Sequence, residues 1–335
     1  MITSTAELLR ELHSRGLAAG ADPPMAAPES AAAHDRPWYI SLLLGVSGWF
    51  AGIFMLVFVA ILFRPNSPGA AFTLGPMLLL AAFGLFKAGR DGAFVSQLAL
   101  ALSIAGQFAV LFGVAAGLET RSFAVAALIA LILQVLLVIV MPNRLHRAMS
   151  TLFACMALAI FVRFSVWGDP GTRGFTTATP SLHLAISSWM LSWLPVGIAL
   201  WLLVHREAAW MARGWQAVLR PASTGLIVGL AAATLISQPF ESLQWLWSGG
   251  HSAAQRWLSL WPLLSAFAAL GALVAAFALG SRALIGVCIV AVLLHLSHFY
   301  YVIGTSLLIK SVTMLILGAL MLAGAAALKK RGAPA

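Results

Sequence analysis

The chain has 335 residues, of which 61% are hydrophobic and only 9% are charged. Soluble globular proteins carry about 25% charged and about 45–50% apolar residues. The composition therefore excludes a soluble enzyme, a disordered tail and a nucleic-acid-binding module. Before the formal net charge of +10 is taken to indicate an acidic partner, it has to be tested against membrane topology.

The apolar residues form long continuous runs, such as Ala124 to Val140 and Val312 to Leu328. A helix needs about 20 apolar residues to cross a bilayer. Strands of membrane barrels alternate apolar and polar positions, which these runs do not. We therefore predict an all-α fold, a polytopic transmembrane helix bundle over 37–330 with about ten spans. The predicted spans are 39–63, 71–88, 94–117, 122–141, 149–167, 182–204, 222–239, 257–279, 282–302 and 305–328.

Residues 1–36 precede the first predicted span. Ser4 and Glu7 have the spacing of a capping box, and Leu8 and Leu12 begin and end one apolar helical face. We interpret this part as a cytoplasmic pre-membrane segment with a short amphipathic helix that rests on the membrane or on the bundle. Docking of this helix to a partner is the alternative.

The distribution of basic residues predicts the orientation, because cytoplasmic loops of membrane proteins carry an excess of Lys and Arg. With the N-terminus in the cytoplasm, most of the 20 basic residues fall on the cytoplasmic side. Lys310 then lies within the last span, and the opposite side receives only Arg64, Arg121, Arg163, Arg173 and Arg256. We predict that both termini are cytoplasmic, with 331–335 as a short cytoplasmic tail. This topology explains the positive charge without a nucleic-acid partner.

Two connectors and two glycine pairs add to the layout. Arg206 to Arg220 is predicted to be an amphipathic connector, and Glu241 to Arg256, rich in Trp and Gly, a short interfacial helix or re-entrant turn. The pairs Gly48/Gly52 and Gly225/Gly229 have the small-xxx-small spacing that lets helix backbones approach closely. We interpret both pairs as packing contacts.

Several polar residues map to the extracytoplasmic half of the predicted bundle. His295 and His298 are three residues apart on the ninth span and share a helix face. Lys310 lies about 8 Å inside the next helix at 1.5 Å per residue. It either reaches the interface by snorkelling or faces the bundle interior. We predict an outer polar cluster, a cavity if its helices are neighbours, formed by His183, Glu241, His295, His298, Tyr301 and Lys310.

No complete catalytic or metal-binding set is recognisable. Two histidines three residues apart are weak support for zinc, whose nitrogen ligands must converge at about 2.0–2.1 Å. The stretch Pro180 to His183 resembles the PSxH box of membrane lipid phosphatases. That family also requires an aspartate four residues after a second histidine, and Val302 stands in that position after His298. Buried packing is the simpler interpretation of Cys155 and Cys288. We expect no enzymatic activity, no cofactor and no metal.

Short stretches at both ends of the apolar region carry a family resemblance. One end contains His298-Phe299-Tyr300-Tyr301, Thr305-Ser306-Leu307-Leu308 and Lys310-Ser311, and the other has Gly-x-x-Gly-Trp within Gly45 to Trp49. The chain resembles, over about 35–330, an uncharacterised bacterial integral-membrane family, a domain of unknown function often encoded beside a GDYXXLXY-motif protein. The resemblance implies a bacterial inner-membrane location and an anchored partner protein with an extracytoplasmic domain. It transfers no catalytic residues.

Two functions remain open at this point. The favoured one is a membrane subunit or scaffold, embedded in the lipid bilayer, that holds a partner with an extracytoplasmic domain. The alternative is a secondary transporter that exports a small solute and is built from two inverted halves of five spans each. Its candidate substrate or coupling residues are Gln107, Gln134 and the region of Lys310.

Overall fold

The computed structural model describes residues 38–63, 67–88, 93–117, 122–168, 182–237, 261–302 and 306–332. The predicted segment 1–36 and the connector Glu241 to Arg256 lie outside these residues. The described part forms helices without strands, which confirms the all-α fold class. The helices are α1 (Trp38–Phe63), α2 (Pro68–Ala88), α3 (Ala93–Gly117), α4 (Phe123–Val140), α5 (Arg144–Trp167), α6 (Leu182–Ala212), α7 (Gln216–Ile236), α8 (Trp261–Ala278), α9 (Arg282–Val302) and α10 (Leu307–Gly332).

Eight of these helices, α2 to α9, are long and apolar enough to cross a membrane, as judged by length and composition. Their outward faces are apolar as well as their packed faces. On α4, for example, Ile132, Leu136 and Val140 are exposed. Large contiguous apolar surfaces are rare on soluble monomers. The fold is therefore compatible with a multi-pass membrane protein.

Successive helices run in opposite directions. Phe123 at the start of α4 packs against Phe164 near the end of α5, with ring centroids 5.4 Å apart. We call the side at which odd-numbered helices begin face A and the side at which they end face B. Helix α7 is central and packs against α4, α5, α6, α8 and α9, whereas α10 makes no extensive contact with the other described helices.

The connector predicted from Arg206 to Arg220 is not a separate segment. Helix α6 continues to Ala212, and α7 begins at Gln216. Gly214, with φ of +83°, reverses the chain, and the N–H of Trp215 reaches back to the carbonyl of Trp210. This is a Schellman ending, which only a residue that tolerates a left-handed backbone supports well. The amphipathic pattern of this region belongs to the ends of two long helices.

Helix α5 begins five residues earlier than the predicted span 149–167. Asn143 caps the helix, because its side-chain oxygen accepts the N–H of His146 at 3.0 Å. Pro142 precedes the cap and disfavours continuation of the preceding helix. The first turn of α5, with His146 and Arg147, is thereby placed within the bundle.

Both glycine pairs are packing contacts, as predicted. A Cβ added at Gly225 would collide with the carbonyl oxygen of Ala148 and lie 2.6 Å from the Cβ of Thr151. One added at Gly229 would lie 2.6 Å from the Sγ of Cys155. Gly48 and Gly52 on α1 meet α3 in the same way. The α5–α7 contact therefore depends on the missing side chains of α7.

We expect Gly225→Ala to lower the stability of the bundle by about 1–3 kcal/mol, because the added methyl group meets backbone that cannot move aside. The matched control is Gly271→Ala on α8, where an added Cβ meets no atom within 4 Å. The control should be neutral or stabilising by up to about 1 kcal/mol. Thermal unfolding in detergent measures both. Equal melting temperatures of the two variants would contradict this account of the α5–α7 contact.

Candidate functional site

Five polar side chains from three helices form one buried hydrogen-bonded cluster in the first half of the bundle. Each of them is at most 5% exposed. Helices α3, α4 and α5 all contribute to the cluster. We call it the polar chain, and its members are Ser103, Gln107, Gln134, His146 and Ser150.

The hydrogen bonds of the polar chain run in one direction. The Nε2 of Gln134 donates to the Oε1 of Gln107 at 2.6 Å, and the Nε2 of Gln107 donates to the Oγ of Ser103 at 3.2 Å. The Oγ of Ser103 lies 2.6 Å from the Nε2 of His146, whose Nδ1 lies 3.2 Å from the Oγ of Ser150. With a neutral imidazole protonated at Nδ1, Ser103 donates to the ring and the ring donates to Ser150. Each link then has one donor and one acceptor.

Local sequence explains how His146 enters this position. The cap at Asn143 starts α5, and the same side chain donates from Nδ2 to the Oγ of Ser96 on α3 at 3.2 Å. The ring of Phe86 meets the imidazole edge-on, with centroids 5.7 Å apart. Contacts from α2 and α3 thus hold the first turn of α5 at face A. From there the polar chain extends inward to Gln107, about 21 Å along α3 from its start.

One polar atom of the chain remains without a partner. The Oε1 of Gln134 is buried and accepts no hydrogen bond from the described residues. A buried amide oxygen without a donor costs about 1–3 kcal/mol. Such atoms in a native structure call for an explanation, such as a bound molecule. The geometry therefore leaves one acceptor available inside the bundle.

The chemistry of the polar chain is neutral. It consists of two amides, two hydroxyls and one imidazole, and Glu207, at the far end of α6, is the one Asp or Glu among the residues that the structure describes. Within those residues, no group of three His, Cys, Asp or Glu side chains is placed to hold a metal ion. The polar chain can exchange hydrogen bonds with a small polar molecule, and His146 is its titratable member.

The described members of the predicted outer polar cluster lie near face B in several environments. His295 is fully buried, with its Nε2 3.0 Å from the Oγ1 of Thr234 on α7. His298 is half-buried one turn further along α9, and His183 is exposed at the start of α6. Glu241 and the side chain of Tyr301 lie outside the described part. The convergence of the six residues stays a prediction.

Lys310, the remaining member, is half-buried near the start of α10. Its Nζ lies 5.1 Å from the centre of the Tyr300 ring on α9. This distance is within the range of a cation–π contact. The ammonium group is therefore held at the edge of the described bundle, beside the aromatic end of α9.

Sequence reasoning found part of the polar chain and missed the rest. Gln107 and Gln134 are the two glutamines proposed for the transporter alternative, and the structure brings them together. His146 was not predicted as a site residue, because it falls between the predicted spans 122–141 and 149–167. The Pro142-Asn143 pair was the available signal, since it marks a helix start three residues before the histidine.

A double-mutant cycle tests the link between α3 and α4. Gln107→Leu and Gln134→Leu each leave a buried amide with one partner fewer, whereas the double variant removes both amides. We expect a coupling free energy of about 0.6 kcal/mol and at most about 1.7 kcal/mol, the average and maximum measured for hydrogen bonds between membrane helices. Thermal or detergent unfolding gives the four stabilities.

Ser192→Ala is the matched control for a buried polar side chain, because the hydroxyl of Ser192 donates to the carbonyl of Ser188 on its own helix at 2.8 Å and bonds no other described helix. We expect this control to change stability little. Strict additivity of the two glutamine substitutions would mean that their 2.6 Å contact contributes nothing to stability.

Comparison with known proteins identifies a family. No curated protein and no solved structure matches the chain. The model of one protein family matches residues 37–331, which is nearly the whole chain, and that family has no assigned function. The resemblance to a domain of unknown function is thereby confirmed. The chain belongs to the family described as "Domain of unknown function (DUF4401)".

Proposed function

We propose that the chain is a non-enzymatic, multi-pass protein of the bacterial inner membrane with about ten spans and both termini in the cytoplasm. The distribution of described basic residues supports this orientation, with face A cytoplasmic. Only Arg163 and Lys310 lie toward face B, and face A carries Lys87, Arg144, Arg147, Arg206, Arg213, Arg220 and Arg282. Helices α1 and α10 would complete the spans beyond the eight found by length and composition.

Within this frame, we propose that the bundle transports a small uncharged polar solute. The observation that carries the proposal is the polar chain with its one unused acceptor, the Oε1 of Gln134. Polar residues inside membrane helices are costly and commonly mark pathways for substrates or protons. Amides, hydroxyls and a neutral imidazole suit an uncharged solute better than a cation, because no carboxylate belongs to the polar chain.

Inverted five-helix halves are not part of this proposal. In such an arrangement, α9 and α10 would repeat the packing of α4 and α5. Helix α4 packs extensively against α5, whereas no extensive contact joins α9 and α10 in the described residues. The polar chain likewise belongs to the first half.

Reconstituted vesicles test the transport proposal. Light scattering after mixing with a panel of small uncharged solutes measures solute entry, with and without an imposed pH gradient. We expect faster entry than in empty vesicles for a subset of the panel. Gln134→Leu should reduce the rate about fivefold or more, since a polar contact of about 1–3 kcal/mol is lost.

His295→Gln is the matched control, because His295 is as deeply buried as His146 but pairs with Thr234 in the other half. The control should transport at the wild-type rate. Folding of each variant is checked by its melting temperature and elution profile. Rates equal to those of empty vesicles for the whole panel, with folded wild-type protein, would refute the transport proposal.

A second function, the membrane subunit, is favoured by α10. This helix makes no extensive contact with the other described helices, and Leu315 on it is 74% exposed. Membrane helices associate through close packing of small and polar residues. Ser311, Thr313 and Gly318 lie on α10. We propose that α10 packs against the membrane anchor of a partner with an extracytoplasmic domain.

A photoreactive amino acid at position 315, incorporated in the native host, tests the subunit proposal. We expect illumination to produce one protein adduct, identified by mass spectrometry. The matched control is position 80 on α2, where Leu80 is 70% exposed but its helix packs against α3. This control should yield no protein adduct. The same adducts at both positions, or none at 315, would contradict a partner at α10.

A further inference from the structure

A cavity of about 550 Å³ lies at face A between the first turns of α5 and α7. Its volume falls within the range of about 300–1,000 Å³ typical of small-molecule sites. Arg144 forms part of the wall on α5, and Gln216, Arg220 and Thr224 belong to the wall on α7. Ala148 lies at the inner end, where its carbonyl meets Gly225. The cavity is thus the open end of the seam between two closely packed helices.

The two walls are fixed in place by Arg147. Pro221 has no N–H, so the carbonyl of Ala217 loses its partner within α7. The Nη1 of Arg147 donates to that carbonyl at 2.7 Å and ties α5 to α7 beside the cavity. The two walls therefore keep their separation without a ligand, which lowers the ordering cost of binding.

The electrostatics of the cavity favour an anion. Arg144 and Arg220 line it from opposite helices, and no Asp or Glu is among the lining residues. Both α5 and α7 begin here, and Trp215 leaves the first turn of α7 without a side-chain cap. Unpaired N–H groups and the positive ends of helix dipoles add to the charge of the guanidinium groups. The arginines are exposed, so the attraction should fall with added salt.

We propose that this cavity is a phosphate-binding site, in which the guanidinium groups of Arg144 and Arg220 bind the phosphate oxygens. Guanidinium groups bind phosphate through paired hydrogen bonds, and helix N-termini bind the same group. The phosphate can come from the headgroup of an anionic phospholipid or from free phosphate in solution. This phosphate site is independent of the proposed transport. Its binding can be measured in detergent, where the orientation of the protein in a membrane has no effect.

Two binding measurements on the purified full-length protein separate the sources. Native mass spectrometry measures retention of phosphatidylglycerol against phosphatidylcholine, and calorimetry measures binding of inorganic phosphate after delipidation. The test variant is Arg144→Gln with Arg220→Gln. We expect it to lose about tenfold or more in affinity, since each charge-assisted hydrogen bond lost contributes at least that factor. Loss confined to the lipid identifies a headgroup site, and loss confined to inorganic phosphate identifies a solute site.

The matched control is Arg206→Gln with Arg282→Gln, which removes the same charge from face A outside the cavity. It should bind like the wild type. Arg144→Lys with Arg220→Lys keeps the charge but not the paired geometry, and should lose part of the affinity while remaining folded. An equal loss of affinity in the test and control variants would mean that binding depends on general surface charge, and would overturn the proposed site. Wild-type binding in the test variant, or equal retention of both lipids with no phosphate binding, would overturn it as well.

Discussion

The close contact between α5 and α7 is the constraint on which the rest of the described structure depends. Inside a membrane, lipid tails remove most of the hydrophobic drive for helix association, so close packing must supply it. Gly225 and Gly229 provide that approach, and α7 in turn packs against five helices. Two arginines of α5 hold the ends of this seam. Arg147 donates to the carbonyl of Ala217, and Arg163 donates to the carbonyl of Ile236 at 3.1 Å.

The same seam fixes both candidate sites, because both use the first turn of α5. Adjacent residues on a helix point about 100° apart. His146 therefore faces α3, while Arg147 reaches α7. Arg144, on the first turn of α5, and Ala148, one turn later, line the cavity. The cavity and the imidazole are therefore placed by the same helical turn.

The features that follow from local sequence were predictable, and those that follow from helix rotation were not. Apolar runs identified the helices, and glycine spacing identified positions of close packing on two of them, because both are properties of one helix; the helix that each pair meets was not predicted. The pairing of Gln107 with Gln134 depends on how two helices turn toward each other, which spacing along the chain does not specify. The outer cluster was inferred from shared depth alone. Depth does not determine which helices are neighbours, and His295 has Thr234 as its partner.

A buried polar chain can hold helices together without any further function, so its bonding pattern has to distinguish the two roles. A cluster that serves only to hold helices together stabilises them most when every donor and acceptor is paired. The polar chain instead ends at Gln134 in an acceptor that no described residue satisfies. The N–H of Trp193 is also buried and has no partner among the described residues, but its ring packs edge-on against Trp189 at 5.2 Å, in aromatic surroundings. The acceptor of Gln134 lies beside the amide of Gln107 instead, in polar surroundings, where a hydrogen-bond donor on a small polar molecule would satisfy it.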